Sequence, residues 1–304
     1  KRVSDVAGSD ETAQVKSAWQ RVLGRSPSAS ETAAALSHLQ RQREYFQRQL
    51  LAKAETPQPS EAKLLTEGLV LNLRADRGVQ LDEELRVQGW NDASPAAHHA
   101  TQENSSARPK LIAEAVNGQP ALRFDGKSAF LHLTGELLTS QQYTIFAVVN
   151  DQGSNGHREI LSNWDGAGGN AGTSVFLGAT GPSAVRFSDN FSPAGELSQQ
   201  REHFLLTAVA EEHDAIVLQN VAELARKGSA LAARKLNFPY VIGRQGHLNG
   251  EYWQGDIAEI LVFDRALRDE ERSSVEQYLR ERYELHGKPE VPPDPELLAL
   301  ASLC

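Results

Sequence analysis

Residues 240–285 read YVIGRQGHLNGEYWQGDIAEILVFDRALRDEERSSVEQYLRERYEL, and a change of rhythm inside this stretch decides the fold. Residues 252–264, YWQGDIAEILVFD, form a short, nearly continuous apolar run rich in β-branched and aromatic side chains, which is the pattern of a strand packed in a core. From 268 to 283 the period lengthens: Val275, Tyr278 and Leu279 recur three and four apart, and acidic residues crowd the first turn, where they favour the helix dipole. The expectation is a last strand followed by one helix that lies against an edge of the sheet structure.

Working outward, the segment from Leu64 to Phe263 repeats the strand rhythm between clusters of Gly, Asn, Asp and Pro. Strands are expected at 69–75, 121–126, 129–134, 143–150, 158–164, 174–179, 184–189, 202–211, 215–220, 240–243 and 252–264. Eleven short strands without interleaved helices predict two packed antiparallel sheets, and the absence of any repeat of ~20–50 residues argues against solenoids and propellers. The fold class is therefore mainly β, a two-sheet antiparallel jelly-roll sandwich with flanking helices.

Five blocks follow one another in a telling order: PALRFDGKSAFLHL (120–133), QYTIFAVVN (142–150), EILSNWDG (159–166), HFLLTAVA (203–210) and the opening stretch. Together they resemble the landmarks of the laminin-G-like, concanavalin A-like lectin domains. In that family a G-x-I-x-E-[IV] strand, a D/N-R-x-L turn and an acidic helix ending in Y-L succeed each other. The matching positions here are Gly255, Ile257, Glu259, Ile260, Phe263, Asp264, Arg265, Leu267, Tyr278 and Leu279. The resemblance implies a binding architecture, with carbohydrate the first ligand class to test.

The ends read differently. Val15, Ala18, Trp19, Val22 and Leu23 share a helix face, and Ser28 with Glu31 makes the S-x-x-E spacing of a capping box, opening a second helix through Leu36, Leu39, Phe46 and Leu50. WQRVLGRSPSASETAAALSHLQ (19–40) resembles a helical hairpin near the C-terminus of large exported planctomycete proteins that accompany cytochrome-c-like modules, and ALASLC (299–304) resembles the start of that domain's closing helix. The haem-attachment pattern C-x-x-C-H is missing, so redox chemistry is not expected within this sequence. The organisation expected is a host-domain helical hairpin at 1–54, a proline-bearing linker at 55–63, the sandwich at 64–286, and a linker with a truncated host helix at 287–304. A chain that starts at Lys1, holds no methionine and stops at Cys304 inside PELLALASLC reads as a piece of a longer protein.

A formal charge of −9 leaves no basic surplus for nucleic acid, and no run reaches the ~18 apolar residues of a membrane span. One cysteine allows no intrachain disulfide. The expected partners are carbohydrate or another domain of the same protein, and the family resemblance implies export.

Candidate chemistry is sparse. Trp164, Tyr252 and Trp253 stand at strand ends, where aromatics stack on sugar rings, and Arg158, Arg186, Asn190 and Arg244 can bond hydroxyls; the competing reading makes the aromatics core plugs and the arginines solvated. Phe191, His157 and His247 belong to the same class of candidates. Asp165, Asp151 and Asp189 offer the hard oxygens of a calcium site, against the alternative of ordinary turn chemistry. His98 and His99 read as part of a polar loop. Asp256 and Glu259 superficially resemble the carboxylate strand of laminarinase-type glycosidases, which would make the protein a hydrolase. Residues three apart on a regular strand face opposite ways, so the pair is not expected to share a substrate. The reading is non-catalytic recognition, with carbohydrate as the expected ligand and a packing or adhesion module and a glycoside hydrolase as alternatives.

Overall fold

The computed structural model describes residues 10–38, 40–41, 64–166, 169–246 and 248–285. The expected linker at 55–63, the tail at 287–304, the second helix's continuation through Leu39, Phe46 and Leu50, and His247 lie outside these. Two compact units divide the chain, Lys1–Thr56 and Pro57–Cys304.

In the first unit, helix α1 spans Glu11–Leu23. The Asp10 carboxylate caps it by accepting from the Thr12 and Ala13 N–H groups, and Gly24, at a left-handed φ of 69°, ends it. Helix α2 covers 29–38. Its capping box is formed as the spacing requires: the Ser28 N–H donates to Glu31 Oε2 at 2.8 Å and the Glu31 N–H donates to Ser28 Oγ at 3.2 Å.

The second unit is a sandwich of two antiparallel sheets with eight strands each. The strands in chain order are β1 (Leu69–Arg74), β2 (Val79–Leu81), β3 (Val87–Trp90), β4 (Ala100–Thr101), β5 (Lys110–Val116), β6 (Gln119–Asp125), β7 (Leu131–Leu133) and β8 (Tyr143–Val149). They continue with β9 (His157–Ser162), β10 (Phe176–Thr180), β11 (Ala184–Arg186), β12 (Phe204–Ala210), β13 (Ala215–Gln219), β14 (Ala222–Lys227), β15 (Val241–Ile242) and β16 (Gln254–Phe263). The first sheet runs β14-β13-β12-β8-β16-β6-β5, with β1 also on β16; the second runs β11-β10-β9-β15-β7-β4-β3-β2.

All eleven expected strands are present, at slightly different lengths. Five more, β2, β3, β4, β5 and β14, were not legible in the pattern. Two of these, β5 and β14, are the outer strands of the first sheet, and β2 closes one margin of the second. An edge strand buries little, so β14 reads AELARK, with only Leu224 and Ala225 packing, half-buried, against the core.

Alternation sorts the side chains. Leu131, Leu133, Leu177, Ala179, Val185, Tyr240, Ile242, Ile257, Ile260 and Val262 point between the sheets into the main core, along with Trp90 and Trp253. Phe146, Val148, Leu205, Ala258, Leu261 and Phe263 point out of the first sheet and meet helix α3 (Asp269–Arg282) through Val275, Tyr278 and Leu279. The helix thus covers a face of the sheet, not an edge as the sequence suggested. The outward residues of three central strands are apolar, and only a face-on helix buries them. Leu64, Leu65 and Leu285 join this second cluster, and Leu69 at the start of β1 pairs with Phe263 at the end of β16.

Candidate functional site

The outer face of the second sheet is covered at its centre, where Val241, Ser162 and Phe176 are fully buried, and open toward Phe130 and His132. Phe130 and His132 flank the inward Leu131 and so point outward, where their rings meet edge-on at 5.0 Å. Across the sheet the outward row continues through Val241, Ser162 and Phe176, since His132 pairs with Val241, Val241 with Ser162, and Ser162 with Phe176. A second row holds Glu159, Gly178 and Arg186.

Residues 244–246 and 248–251 overhang this face. After Gly243 the chain leaves β15 and returns at Tyr252, which bridges to Glu159. The Arg244 guanidinium lies 3.6 Å from the Phe130 ring centre and 5.9 Å from that of Tyr252, a cation–π arrangement that fixes both rings. Tyr252 Oη donates to Asn249 Oδ1 at 2.7 Å. Gly246, at φ 42°, packs on the Trp164 main chain so closely that a Cβ would collide with its carbonyl. The loop therefore brings Arg244 and Tyr252 beside Phe130 and His132. Two of the seven residues expected to contact a ligand converge here, while the Trp164 indole packs on Gly166. Phe130 and His132 were missed because PALRFDGKSAFLHL shows only strand rhythm, and which of its residues face out depends on the pairing.

Beneath the loop lies a charge cluster. Arg186 Nη1 donates to Glu159 and, at 3.1 Å, to Glu251 Oε2, while its guanidinium sits 4.7 Å from the Phe176 ring centre. Glu159 is wholly buried, its Oε2 has no hydrogen-bond partner, and burial pushes its carboxyl up to about 8 against the pull of Arg186. Gly178 opposite must lack a side chain, since a Cβ would collide with the Glu159 carboxylate and the Arg158 carbonyl. A buried carboxyl of raised affinity for its proton, with a second carboxylate on the same arginine, has the electronic features of an acid–base site. Glu159 and Arg186 are enclosed, while the Glu251 side chain is about a quarter exposed. Glu159 sits inside the strand run EILSNW, where nothing in the sequence distinguishes it from other strand residues.

The structure places the remaining candidates elsewhere. Arg158 and Asp151 form a buried ion pair: Arg158 Nε donates to Asp151 Oδ1 at 2.7 Å, and Gly153 N–H and Gln200 Nε2 also donate to that carboxylate at 2.9 Å each. Neither group is available to a sugar or a cation. Trp253 is 1% exposed in the main core, a plug and not a stacking platform. Arg186 is tied up with Glu159 and Glu251. Asn190 is exposed, with its Oδ1 on the Ser188 hydroxyl, and Phe191 is buried in the core. Asp189 pairs with Arg234 at 3.3 Å, and Asp165 sits in a turn whose carbonyl accepts from the Asn170 N–H at 3.2 Å. Among the described residues no group of three or more His, Cys, Asp or Glu is placed to hold a metal ion. His99 Nδ1 accepts from the Asp92 N–H at 3.1 Å, and His98 Nδ1 bonds the Thr134 carbonyl oxygen at 2.7 Å, so the expected solvated loop is anchored.

The opposite-faces argument for Asp256 and Glu259 also fails, for a physical reason. The register of β16 against β8 slips between Ile257 and Glu259, leaving Ala258 as an extra residue. Both carboxylates then take outward partners. Asp256 accepts from Arg123 Nε at 2.7 Å and faces His203 Nε2 at 3.3 Å, while Glu259 accepts from Tyr283 Oη at 2.9 Å and faces Arg282 Nε at 3.3 Å. Each is about 1% exposed and committed to those partners beneath or beside the helix.

The same architecture occurs in several solved structures. Domain 4 of the extracellular GH43 arabinanase from Geobacillus stearothermophilus, in complex with arabinotriose, aligns over 70% of this chain and 99% of its own at 13% identity, with a TM-score of 0.50. The sialidase of Trypanosoma rangeli aligns over 82% of this chain and 39% of its own at 14% identity, TM-score 0.51. A GH54 α-L-arabinofuranosidase aligns over 65% of this chain and 51% of its own at 16% identity, TM-score 0.50. The chain thus matches nearly the whole arabinanase domain but only about half or less of the two enzymes. At these identities the likeness is one of fold. No protein-family model matches the sequence, and no curated protein matches it.

Proposed function

We propose that the sandwich is a non-catalytic carbohydrate-recognition module of a larger exported protein, and that sugar lies on the outer face of the second sheet against Phe130, Arg244 and Tyr252. The carrying observation is the Phe130–Arg244–Tyr252 stack: two partly exposed rings held at fixed tilt by a buried guanidinium, with the polar His132 and Asn249 at its margin. Rigid aromatic faces bordered by donors and acceptors suit a ring with one apolar side and a rim of hydroxyls. The solved structures add support, since the arabinanase domain of this architecture carries arabinotriose.

Two observations weigh against the alternatives. The two carboxylate pairs described above, Glu159 with Glu251 and Asp256 with Glu259, are committed to arginine or tyrosine partners, which disfavours a hydrolase. The large hydrophobics exposed on the sandwich, Val221 and Leu248, are isolated single residues, whereas a packing module needs a broad apolar patch. Among the described residues no helix is long and apolar enough to cross a membrane.

Glycan-array screening of the whole chain, followed by calorimetry with arabinotriose and the best array hit, tests the reading. Binding should weaken at least about tenfold in Tyr252→Ala and Phe130→Ala, the loss of roughly 1.4 kcal/mol of stacking, with the melting temperature little changed. Retention of wild-type affinity in both variants, or no saccharide bound at all, would overturn it.

A further inference from the structure

A second concave feature of the sandwich has a different chemical character. A cleft of about 650 Å³, within the size range of small-ligand sites, is walled by Arg86, Arg108, Lys110 and Arg123, with Asp125 the only acidic lining residue. The counter-charges are turned away from it. Asp82 takes Arg86 at 3.2 Å and Arg108 at 3.0 Å, Glu84 also takes Arg86 at 3.1 Å, and Asp256 takes Arg123 at 2.7 Å; none of the three lines the cleft, and Asp256 is 1% exposed. Asp125 spends its Oδ1 on the N–H groups of Lys127, Ser128 and Ala129, and its Oδ2 on the Ser128 hydroxyl. What faces the cavity is the outer side of paired guanidinium groups, with Arg123 51% exposed, and the Lys110 ammonium, which has no carboxylate partner among the described residues.

We propose that this cleft binds the anionic group of an acidic saccharide, a carboxylate or sulfate carried on a sugar. Arginines already anchored by buried carboxylates are pre-organised, so little side-chain entropy is lost when an anion docks. Asp82, Glu84 and Asp256 offset the charge of the three arginines, so the anion is held by the remaining guanidinium N–H donors and by Lys110, while the distant part of the net charge of −9 is largely screened beyond ~8 Å at physiological salt. The exposed Gln152 and Gln254 side chains supply amide partners for the sugar itself. The site shares no residue with the Phe130–Arg244–Tyr252 stack. Only the sugar part of the ligand rests on the carbohydrate reading; the anion does not.

The test is calorimetric titration of the 304-residue chain with trigalacturonate, a sulfated galacto-oligosaccharide and neutral arabinotriose, at about 20 mM and about 200 mM salt. At least one anionic probe should bind, more weakly at the higher salt, and lose at least about fivefold in affinity in Lys110→Glu and in Gln254→Glu. Both positions are exposed, so folding should survive. Trigalacturonate alone, the sulfated probe alone, or both would identify the anion accepted, and Tyr252→Ala should leave this binding unchanged. Failure of both anionic probes, or affinity that ignores both charge changes, would overturn the inference. A loss on Tyr252→Ala equal to that on Lys110→Glu would place the anion at the aromatic stack instead and overturn it equally.

Discussion

Between its ordinary value of 4.5 and its folded value of about 8, the Glu159 carboxyl keeps a proton that the same group has released in the unfolded chain. The sign follows from linkage: the native state binds more protons over this range, so the group's contribution is fully present below about pH 4.5 and drains away as the pH rises to about 8. Glu159→Gln replaces the carboxyl by an amide that cannot ionise. Its melting temperature should gain on the wild type by about 4–8 °C between acid and mildly alkaline solution, on the order of 2 kcal/mol for a unit of this size. Parallel curves for the two proteins would show that Glu159 carries no such linkage. This residue was invisible in the sequence, because one glutamate in a strand run looks like any other until Gly178 and Arg186 are brought across from neighbouring strands. Arg244 and Tyr252 were legible as candidates, since their position at strand ends can be read. Arg158 misled because an arginine beside a glycine-rich turn carries no signal of its buried partner Asp151.

Helix α3 and strand β16 are joined through a polar contact in an apolar interface. Tyr283 Oη donates to Glu259 Oε2 at 2.9 Å, and burial, with the nearby Glu259 charge, pushes the phenol well above its ordinary value, so it stays a donor. Burial also raises the Glu259 carboxyl, against the attraction of Arg282 and Arg74. Tyr283→Phe leaves the packing but strips Glu259 of a neutral donor. The expected cost is about 1–3 kcal/mol, at about 2–4 °C per kcal/mol, read by thermal denaturation. A change under about 1 °C would mean that Arg282 alone satisfies the carboxylate. The helix and its stripe were legible from period and first-turn charge. Its seat on a sheet face was not, because periodicity identifies the side that is buried and says nothing of what buries it. The bulge at Ala258 was equally hidden: a one-residue slip leaves the residue order unchanged and alters only the pairing.

The main core draws on both sheets of the Pro57–Cys304 unit, and the helix-side cluster is complete within it. A chain trimmed to residues 57–304 should therefore keep the near-ultraviolet signal of its buried tryptophans and melt in one cooperative step. Loss of that signal would mean that the sandwich needs the first unit to fold. At this scale the sequence reading was strongest, since eleven runs of period-two burial allow only facing sheets, and the five unread strands, β2 to β5 and β14, are short or lie where little surface is removed from water. The pairing of Leu69 with Phe263, and the 2.9 Å bond from the Asp264 N–H to the Gly68 carbonyl, place the way into the sandwich next to the way out. To whatever polypeptide continues on either side, some two hundred intervening residues are a closed detour whose ends stand one strand apart. Because the closure is made by the sheet's own ladder, a polypeptide carrying this unit spends almost no chain entropy on bridging the gap.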